Sequence, residues 1–343
     1  EELHACQIEA DDEAWRGGPV LYSDKKNLYV DDSEAHNLIV GDTGSMKTLR
    51  FVLPLIYSCA RAGESMVIVD PKGELSKKMV TFLDDSGYET SVVNLRTPQS
   101  SPDSWNPFER AQQSFKEQTF YAQENAVLQL NDLMDILFYT RSDNGKDKYW
   151  NESAGQLALG MLELMEKLGE KLTIKNLLDW RYGKLPDGTL QKYFDSISSD
   201  NPIYQNLAGY FSLTAENTKS CILSTFDQLI RVFKASPALT DLLSESTLDL
   251  RKIGTTKTAV FLVVPDEKTN FHFLATLFIN QCYEMLLEQA EEYDGKLPQK
   301  VNFILEEFCN MPKLEDIIPM LTAARSRNIR FHLVIQSYEQ MVD

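Results

Sequence analysis

With 343 residues, 43% of them hydrophobic and 25% charged, the chain is long enough for about two domains of roughly 150 residues and too apolar to be a disordered tail. Its 34 basic and 51 acidic residues leave a net charge of -17, so the surface as a whole repels nucleic acid and any contact with a polyanion has to be local. Five cysteines (Cys6, Cys59, Cys221, Cys282, Cys309), odd in number and without a C-x-x-C pair, argue against a disulfide framework or a zinc site and for a reducing compartment; the four scattered histidines have no metal-ligand spacing. There is no signal peptide and no apolar run of about 18 residues; the best stretch, Phe51 to Ala60, is short and carries Pro54. Opening at Glu1 and ending inside a helical pattern at Asp343, the chain is expected to be part of a longer one.

In chain order, Gly17 to Val30 reads as a short hairpin, with PVLY and NLYV flanking a polar turn. Short runs rich in Val and Ile follow at Leu38 to Val40, Met66 to Val69, Ser91 to Val93, Ala259 to Val264, Val301 to Leu305 and His332 to Ile335. Each leads into a turn or a helical segment. Wholly apolar strands alternating with helices predict an α/β domain with a mostly parallel sheet covered on both faces. From Phe108 to Leu248 the strand signal disappears. Two apolar stripes have helical spacing there: Trp150, Ala154, Leu157, Ala158, Met161, Leu162 and Met165, then Ile222, Phe226, Leu229, Ile230 and Phe233. Turn clusters at Ser142 to Gly145, Leu185 to Gly188 and Ser198 to Pro202 separate the helices. The expected organisation is an N-terminal segment with a hairpin (1–35), an α/β domain in two parts (36–108 and 249–343), and an all-α insertion (109–248).

The strand Leu38-Ile39-Val40 runs into Gly41-Asp42-Thr43-Gly44-Ser45-Met46-Lys47-Thr48 and then a helical pattern, the context of a phosphate-binding loop. In such a loop, backbone N–H groups cradle phosphate, Lys47 reaches the β and γ phosphates, and the Thr48 hydroxyl ligates Mg²⁺. The other reading is an ordinary strand-to-helix turn with a solvated lysine. Met46 stands where the pattern asks for glycine; if it continues a helical backbone, its amide still donates to phosphate. The strand Val301 to Leu305 ends in Glu306-Glu307. These are either helix N-terminal charges or an acid on the Mg²⁺ side followed by one that polarises the attacking water. Two further elements sit at strand ends, where open α/β sheets bind ligands: Asp70-Pro71-Lys72-Gly73-Glu74-Leu75, and Gln336-Ser337. Arg325, Arg327 and Arg330 precede the latter, as a solvated helix end or as cations facing phosphate.

Together these boxes resemble the VirD4/TraG-type coupling ATPases of conjugative and type IV secretion systems. The resemblance rests on the loop Gly41 to Thr48, the DPKGEL box, Trp105-Asn106-Pro107-Phe108, Lys148-Tyr149-Trp150, Phe303-Ile304-Leu305-Glu306-Glu307-Phe308, Arg325-Ser326-Arg327 and Ile335-Gln336-Ser337, in that order. It covers nearly all of His36 to Asp343 and is loosest in the insertion. The chain departs from the family's pattern at Met46 and at Glu306, where Asp is usual.

The resemblance implies a RecA-like nucleotide-binding domain interrupted by an all-α domain. It implies ATP and Mg²⁺ as cofactors, bound by Gly41, Asp42, Thr43, Gly44, Ser45, Met46, Lys47 and Thr48, with Asp70 and Glu306 beside them and Thr48 and Glu306 on the metal. Lys47, Glu307 as activator of water, Gln336 as sensor of hydrolysis and Arg325 reaching a neighbour's γ phosphate are its expected catalytic set. The implied protein is a homo-hexameric motor at the cytoplasmic face of the bacterial inner membrane, itself soluble in this part. It would pass single-stranded DNA, a relaxase–DNA complex or protein substrates to secretion-channel components, with substrates or adaptors meeting the all-α domain. Rival readings are an FtsK/HerA-like DNA translocase and a nucleotide-binding docking platform with little hydrolysis.

Overall fold

The computed structural model describes residues 6–9, 15–24, 27–117, 119–139, 148–267, 271–310 and 317–337. Its strands are β1 (Cys6–Glu9), β2 (Val20–Ser23), β3 (Asn27–Val30), β4 (Asn37–Val40), β5 (Ser65–Val69), β6 (Glu89–Asn94), β7 (Thr258–Val263), β8 (Val301–Leu305) and β9 (Ile329–Ile335). The hairpin read from the sequence is β2–β3, and β1 pairs antiparallel with β3 as a third strand. The other six strands form a second sheet in the order β4-β9-β8-β5-β7-β6, parallel at every pairing. Central strands β5, β7, β8 and β9 are buried at every residue, which is why their sequences are mostly apolar rather than alternating, with buried Asn302 in β8 and Arg330 and His332 in β9 as polar exceptions.

The helices that connect these strands are α1 (Leu53–Arg61) and α2 (Glu74–Asp85), after β4 and β5. Next come α3 (Glu109–Lys116), α4 (Phe120–Met134), α5 (Lys148–Lys167), α6 (Ile174–Asp179), α7 (Thr189–Ser196), α8 (Pro202–Phe211), α9 (Glu216–Leu229), α10 (Arg231–Ala235) and α11 (Pro237–Leu242). The last two, α12 (His272–Glu292) and α13 (Ile317–Ala324), follow β7 and β8. Crossovers through α1 and α2 travel along the sheet in one direction, and those through α12 and α13 in the other. Since parallel crossovers are right-handed, the two pairs cover opposite faces. On one face Val52, Leu55, Ile56 and Cys59 meet Met66, Ile68, Phe261, Ile304 and Val334; on the other the Tyr283 hydroxyl of α12 donates to the Met320 carbonyl of α13 at 3.1 Å.

The chain divides into two compact units, Glu1–Asp103 with Leu248–Asp343, and Ser104–Thr247. The described elements of the second unit are all helical. Its core uses the two stripes read from the sequence: Ala154, Leu157, Ala158, Met161, Leu162 and Met165 of α5 are buried, as are Ile222 and Phe226 of α9 and Phe233 of α10. Trp105-Asn106-Pro107-Phe108, read above as closing the first α/β stretch, is built into this unit. Trp105 N–H donates to Leu242 O at 3.1 Å, and Asn106 Nδ2 to Leu172 O at 2.9 Å. Turns precede α7 at Leu185 to Gly188 and α8 at Ser198 to Pro202; the turn expected at Ser142 to Gly145 lies outside the described residues. Among the described residues no helix is long and apolar enough to cross a membrane.

Candidate active site

Because β4, β9 and β8 are neighbours and parallel, with Val40 opposite Ile335 and Leu333 opposite Leu305, the segments that follow them emerge side by side. The loop after β4 is anchored at once by Gly41 N–H donating to Ile335 O at 3.2 Å. It then folds on itself. Asp42 Oδ1 accepts from Thr43 N–H at 2.7 Å, and Asp42 O from Ser45 N–H at 3.1 Å. Gly41 is needed for this closeness, since a Cβ there would lie 2.7 Å from Ser45 Oγ, and Gly44 holds φ +82°. Lys47 Nζ curls back to donate to the carbonyls of Gly41 and Asp42, the latter at 3.3 Å. An ammonium group therefore sits inside the loop, where a phosphate would meet it.

Met46 does not continue a helical backbone. Its φ is +62°, in the left-handed region, and its side chain is exposed. The loop thus asks for glycine at this position for a conformational reason, and a methionine there carries strain of about 1 to 2 kcal/mol. After it, Thr48–Val52 makes one turn of π geometry that runs into α1. Such wide turns recur at functional sites.

Glu306 and Glu307 leave the end of β8 beside this loop. Thr48 Oγ1 donates to Glu306 Oε1 at 2.7 Å, joining the two residues assigned to Mg²⁺ by the resemblance. Burial pushes the Glu306 carboxyl up to about 7; the Thr48 hydrogen bond opposes this, and the charges of Asp70 and Glu307 add to it. Glu307 is itself left-handed, at φ +52°. Of the four non-glycine residues with positive φ among the described residues, two, Met46 and Glu307, flank this one site. Gln336 connects Glu307 with the loop: its Nε2 donates to Glu307 Oε1 at 3.4 Å, while its Oε1 accepts from Thr43 Oγ1 at 3.3 Å.

The remaining strand-end residues have other tasks. Asp70 is buried, and both its oxygens serve the start of α2: Oδ1 accepts from Glu74 N–H at 3.1 Å, and Oδ2 from Ser76 N–H at 2.9 Å and Ser76 Oγ at 3.0 Å. Grouped with the nucleotide ligands on sequence, it is a helix cap whose charge is felt by Glu306. Sequence reasoning missed Arg96, just past β6. Its Nη2 donates to Pro71 O at 3.0 Å and pairs with Asp266 at 2.6 Å and Glu267 at 2.7 Å, tying together the rims of β5, β6 and β7. Pro71 and Asp266 line a recess with His272, Glu306 and Glu307. The available signal was position, since Arg96 and Asp266 follow parallel strands as Asp70 and Glu306 do.

The three arginines lie at the other end of the sheet, before β9 or at its start, and do not face this loop. Arg330, read with the other two as a solvated helix end or as a phosphate-facing cation, is buried. It pairs with Glu64 at 2.5 Å, donates to Asn302 Oδ1 at 3.0 Å, and holds Gly17 O and Ser33 O. Arg327 Nη1 donates to Ala323 O at 3.0 Å, at the end of α13. Arg325 is exposed, with Nε 3.8 Å from Glu34 Oε2.

These donor sets suit a nucleotide with Mg²⁺: loop amides and an ammonium for phosphate, and a hydroxyl already paired with a carboxyl group for a hard cation. In structural comparison the chain resembles the bacterial conjugative coupling protein TrwBΔN70 in its unbound form, with TM-score 0.61 and 17% identity over 90% of this chain and 63% of that one. A TrwB complex with ADP and Mg²⁺ aligns with TM-score 0.61 and 17% identity, over 90% and 64%. VirB4 of Thermoanaerobacter pseudethanolicus aligns with TM-score 0.55 and 13% identity, over 95% and 78%. At these identities the likeness establishes the RecA-type α/β fold. The chain spans less than two thirds of those TrwB chains. No curated protein matches it. The profile of the type IV secretory system conjugative DNA transfer family matches residues 6–343, nearly end to end, and the chain belongs to that family.

Proposed function

We propose that the chain is the ATP-hydrolysing part of a type IV secretion coupling protein, which turns nucleotide hydrolysis into the handover of DNA or protein to a membrane channel. The observation that carries this reading is the meeting of Thr48 with Glu306, and of Thr43 and Glu307 through Gln336, at three neighbouring strand ends. Family membership and the nucleotide complexes of TrwB support it.

The loop amides from Gly41 to Thr48 and the Lys47 ammonium bind the triphosphate, Lys47 exchanging its two carbonyl partners for phosphate oxygens. Thr48 and Glu306 hold Mg²⁺, which when bound neutralises charge on the β and γ phosphates. Glu307 orients the attacking water and takes up its proton. Gln336, bonded to both the loop and Glu307, moves when the γ phosphate leaves, and Asp70 and Arg96 position the rim beside Glu306. Arg325 acts on a neighbouring copy in the hexamer. The seven residues of β9 at about 3.3 Å each separate it from its own loop by roughly 23 Å. The working protein sits at the cytoplasmic face of the inner membrane.

The test compares two variants in nucleotide binding and in turnover by assembled protein. Lys47→Ala is expected to lose fluorescent-ATP binding altogether. Glu307→Gln is expected to bind nucleotide within a few-fold of wild type and lose about 10² to 10⁴ in turnover. Unchanged binding by Lys47→Ala, or unchanged turnover by Glu307→Gln, removes the assignment.

A further inference from the structure

Lys72 is the exposed member of an otherwise buried turn: Asp70 and Pro71 before it and Gly73 after it are all buried. The turn is held at each of these residues. Asp70 caps α2 with both oxygens, Arg96 Nη2 donates to Pro71 O at 3.0 Å, and Gly73, at φ +66°, donates its N–H to Asp70 O at 3.3 Å. So firm a turn fixes where the flexible four-carbon stem of Lys72 begins. The Lys72 ammonium forms neither a hydrogen bond nor an ion pair among the described residues.

Strand order decides what Lys72 stands beside. β5 and β8 are parallel neighbours with Val69 opposite Leu305, so Asp70-Pro71-Lys72 leaves the sheet alongside Glu306-Glu307, about 5 Å away across the pair. The loop after β4 lies on the other side of Glu306, and Thr48 reaches Glu306 from there. Lys72 is near enough for its charge to be felt at Glu306, where it opposes the rise that burial causes. Arg96, the other cation of this rim, is already committed to Asp266 and Glu267. A lysine that served only as counter-ion to the acids beside it would be paired with one of them, and Lys72 is not. We infer that Lys72 is a second cation for the bound nucleotide, its ammonium meeting the γ phosphate from the β5 side while Lys47 meets the phosphates from the β4 side. The inference rests on the nucleotide reading of the site and adds a residue to it. Charge on the transferred phosphoryl group is spread over three oxygens, so cations on opposite sides stabilise it better than one alone. ADP, which lacks the γ phosphate, ends short of Lys72.

The test titrates the full chain, in Mg²⁺, with fluorescent ADP and separately with a fluorescent non-hydrolysable ATP analogue. Lys72→Met is expected to weaken the analogue about tenfold and ADP less than about twofold, because a hydrogen bond to a charged group is lost only where the γ phosphate is present. Lys72→Glu, which sets a like charge against that phosphate, should weaken the analogue further. Matching thermal melts of the variants and wild type keep folding out of the comparison. Unchanged analogue affinity in Lys72→Met overturns the inference. So does equal weakening of both nucleotides, which would mean that Lys72 acts through the turn or the acids, or tightening of both, which would mean that it only repels Mg²⁺ from Glu306. Lys47→Ala in the same titrations separates the two levels of the argument. If Lys47→Ala binds both nucleotides as wild type does, the nucleotide reading falls and this inference with it; if Lys47→Ala loses both while Lys72→Met shows no γ-selective loss, only the inference falls.

Discussion

The two ends of the parallel sheet solve opposite problems with similar residue types. At the end where β4, β8 and β9 finish, charged and polar side chains bond along loops: Lys47 to two carbonyls of its own loop, Gln336 to Thr43 and Glu307 at 3.3 and 3.4 Å, with two residues, Met46 and Glu307, in left-handed backbone. At the end where the same strands begin, a charged pair is buried and its partners are close. Arg330, Glu64, Asn302 and His332 form one connected set, with Lys300 3.5 Å from Glu64. Groups that only hold the fold are fully engaged, because an unpaired buried charge costs several kcal/mol.

The largest effect on this contrast is expected at the beginning of the strands. Arg330→Met should destabilise the protein by about 3 to 5 kcal/mol, since it strands the Glu64 carboxylate and two loop carbonyls in the interior. Urea denaturation measures it. The double change Glu64→Leu/Arg330→Met should recover part of the loss, and not all, because Gly17 O and Ser33 O still lack their donor. Lys47→Ala, at the other end, should move the midpoint little, by about 0.5 kcal/mol or less. If the two single changes cost the same, the division of labour between the ends is wrong.

The sequence showed one end far better than the other. The loop Gly41 to Thr48, the acid pair and Gln336 are legible because each follows a recognisable apolar strand, and parallel strands bring such positions together. The six strands were legible as short runs rich in Val and Ile, β8 keeping that reading although Asn302 interrupts it. Arg330 was not, because an arginine one residue into a strand reads as a flanking cation. Its partners Glu64, Asn302, Gly17 and Ser33 are brought to it only by the strand order and by the path of the N-terminal segment. The capping role of Asp70 was hidden for a related reason: a carboxylate at a strand end has the position of a ligand, and only the geometry of α2 shows the cap.

A smaller effect should appear with pH, again at the beginning of the strands. His36 Nδ1 accepts from Phe331 N–H at 3.0 Å, which leaves Nε2 to donate to Leu321 O at 2.7 Å. Burial lowers its pKa, and the nearby charges of Arg325 and Arg330 lower it further. His332 is wholly buried between Asn302 and Asn37, and desolvation holds it well below the ordinary value of 6.5. With both pKa values lowered in the folded protein, the unfolded chain binds more protons as pH falls through 6.5. The stability they contribute is complete above that pH and is lost as pH falls toward their folded values. Glu306, its carboxyl raised to about 7, gives a slope of the opposite sign in this window, so the histidine contribution is read as a difference: the urea midpoint of wild type should fall relative to that of His332→Gln as pH goes from 7.5 to 5.5. An identical pH dependence in the two proteins would show that His332 does not contribute.

The smallest expected effect separates strain from function at the loop. Met46 takes the left-handed backbone that glycine takes freely, and nothing buries its side chain to offset the strain. Met46→Gly should relieve it and stabilise the folded state by up to about 1 kcal/mol; the greater freedom of glycine in the unfolded chain takes back part of the gain. The amide at position 46 points the same way in either residue, so nucleotide affinity should change by less than about tenfold, or 1.4 kcal/mol. Met46→Ala is the control, because alanine keeps a Cβ and therefore most of the strain, and it should resemble wild type in stability. Chemical denaturation and nucleotide titration of the three proteins read both quantities. A gain in affinity much above tenfold in Met46→Gly, without a matching gain in Met46→Ala, would mean that strain at this residue holds the natural loop away from phosphate. Nucleotide binding by this chain would then be weak by construction of its own backbone, which favours a protein that docks its partners more than it turns over ATP.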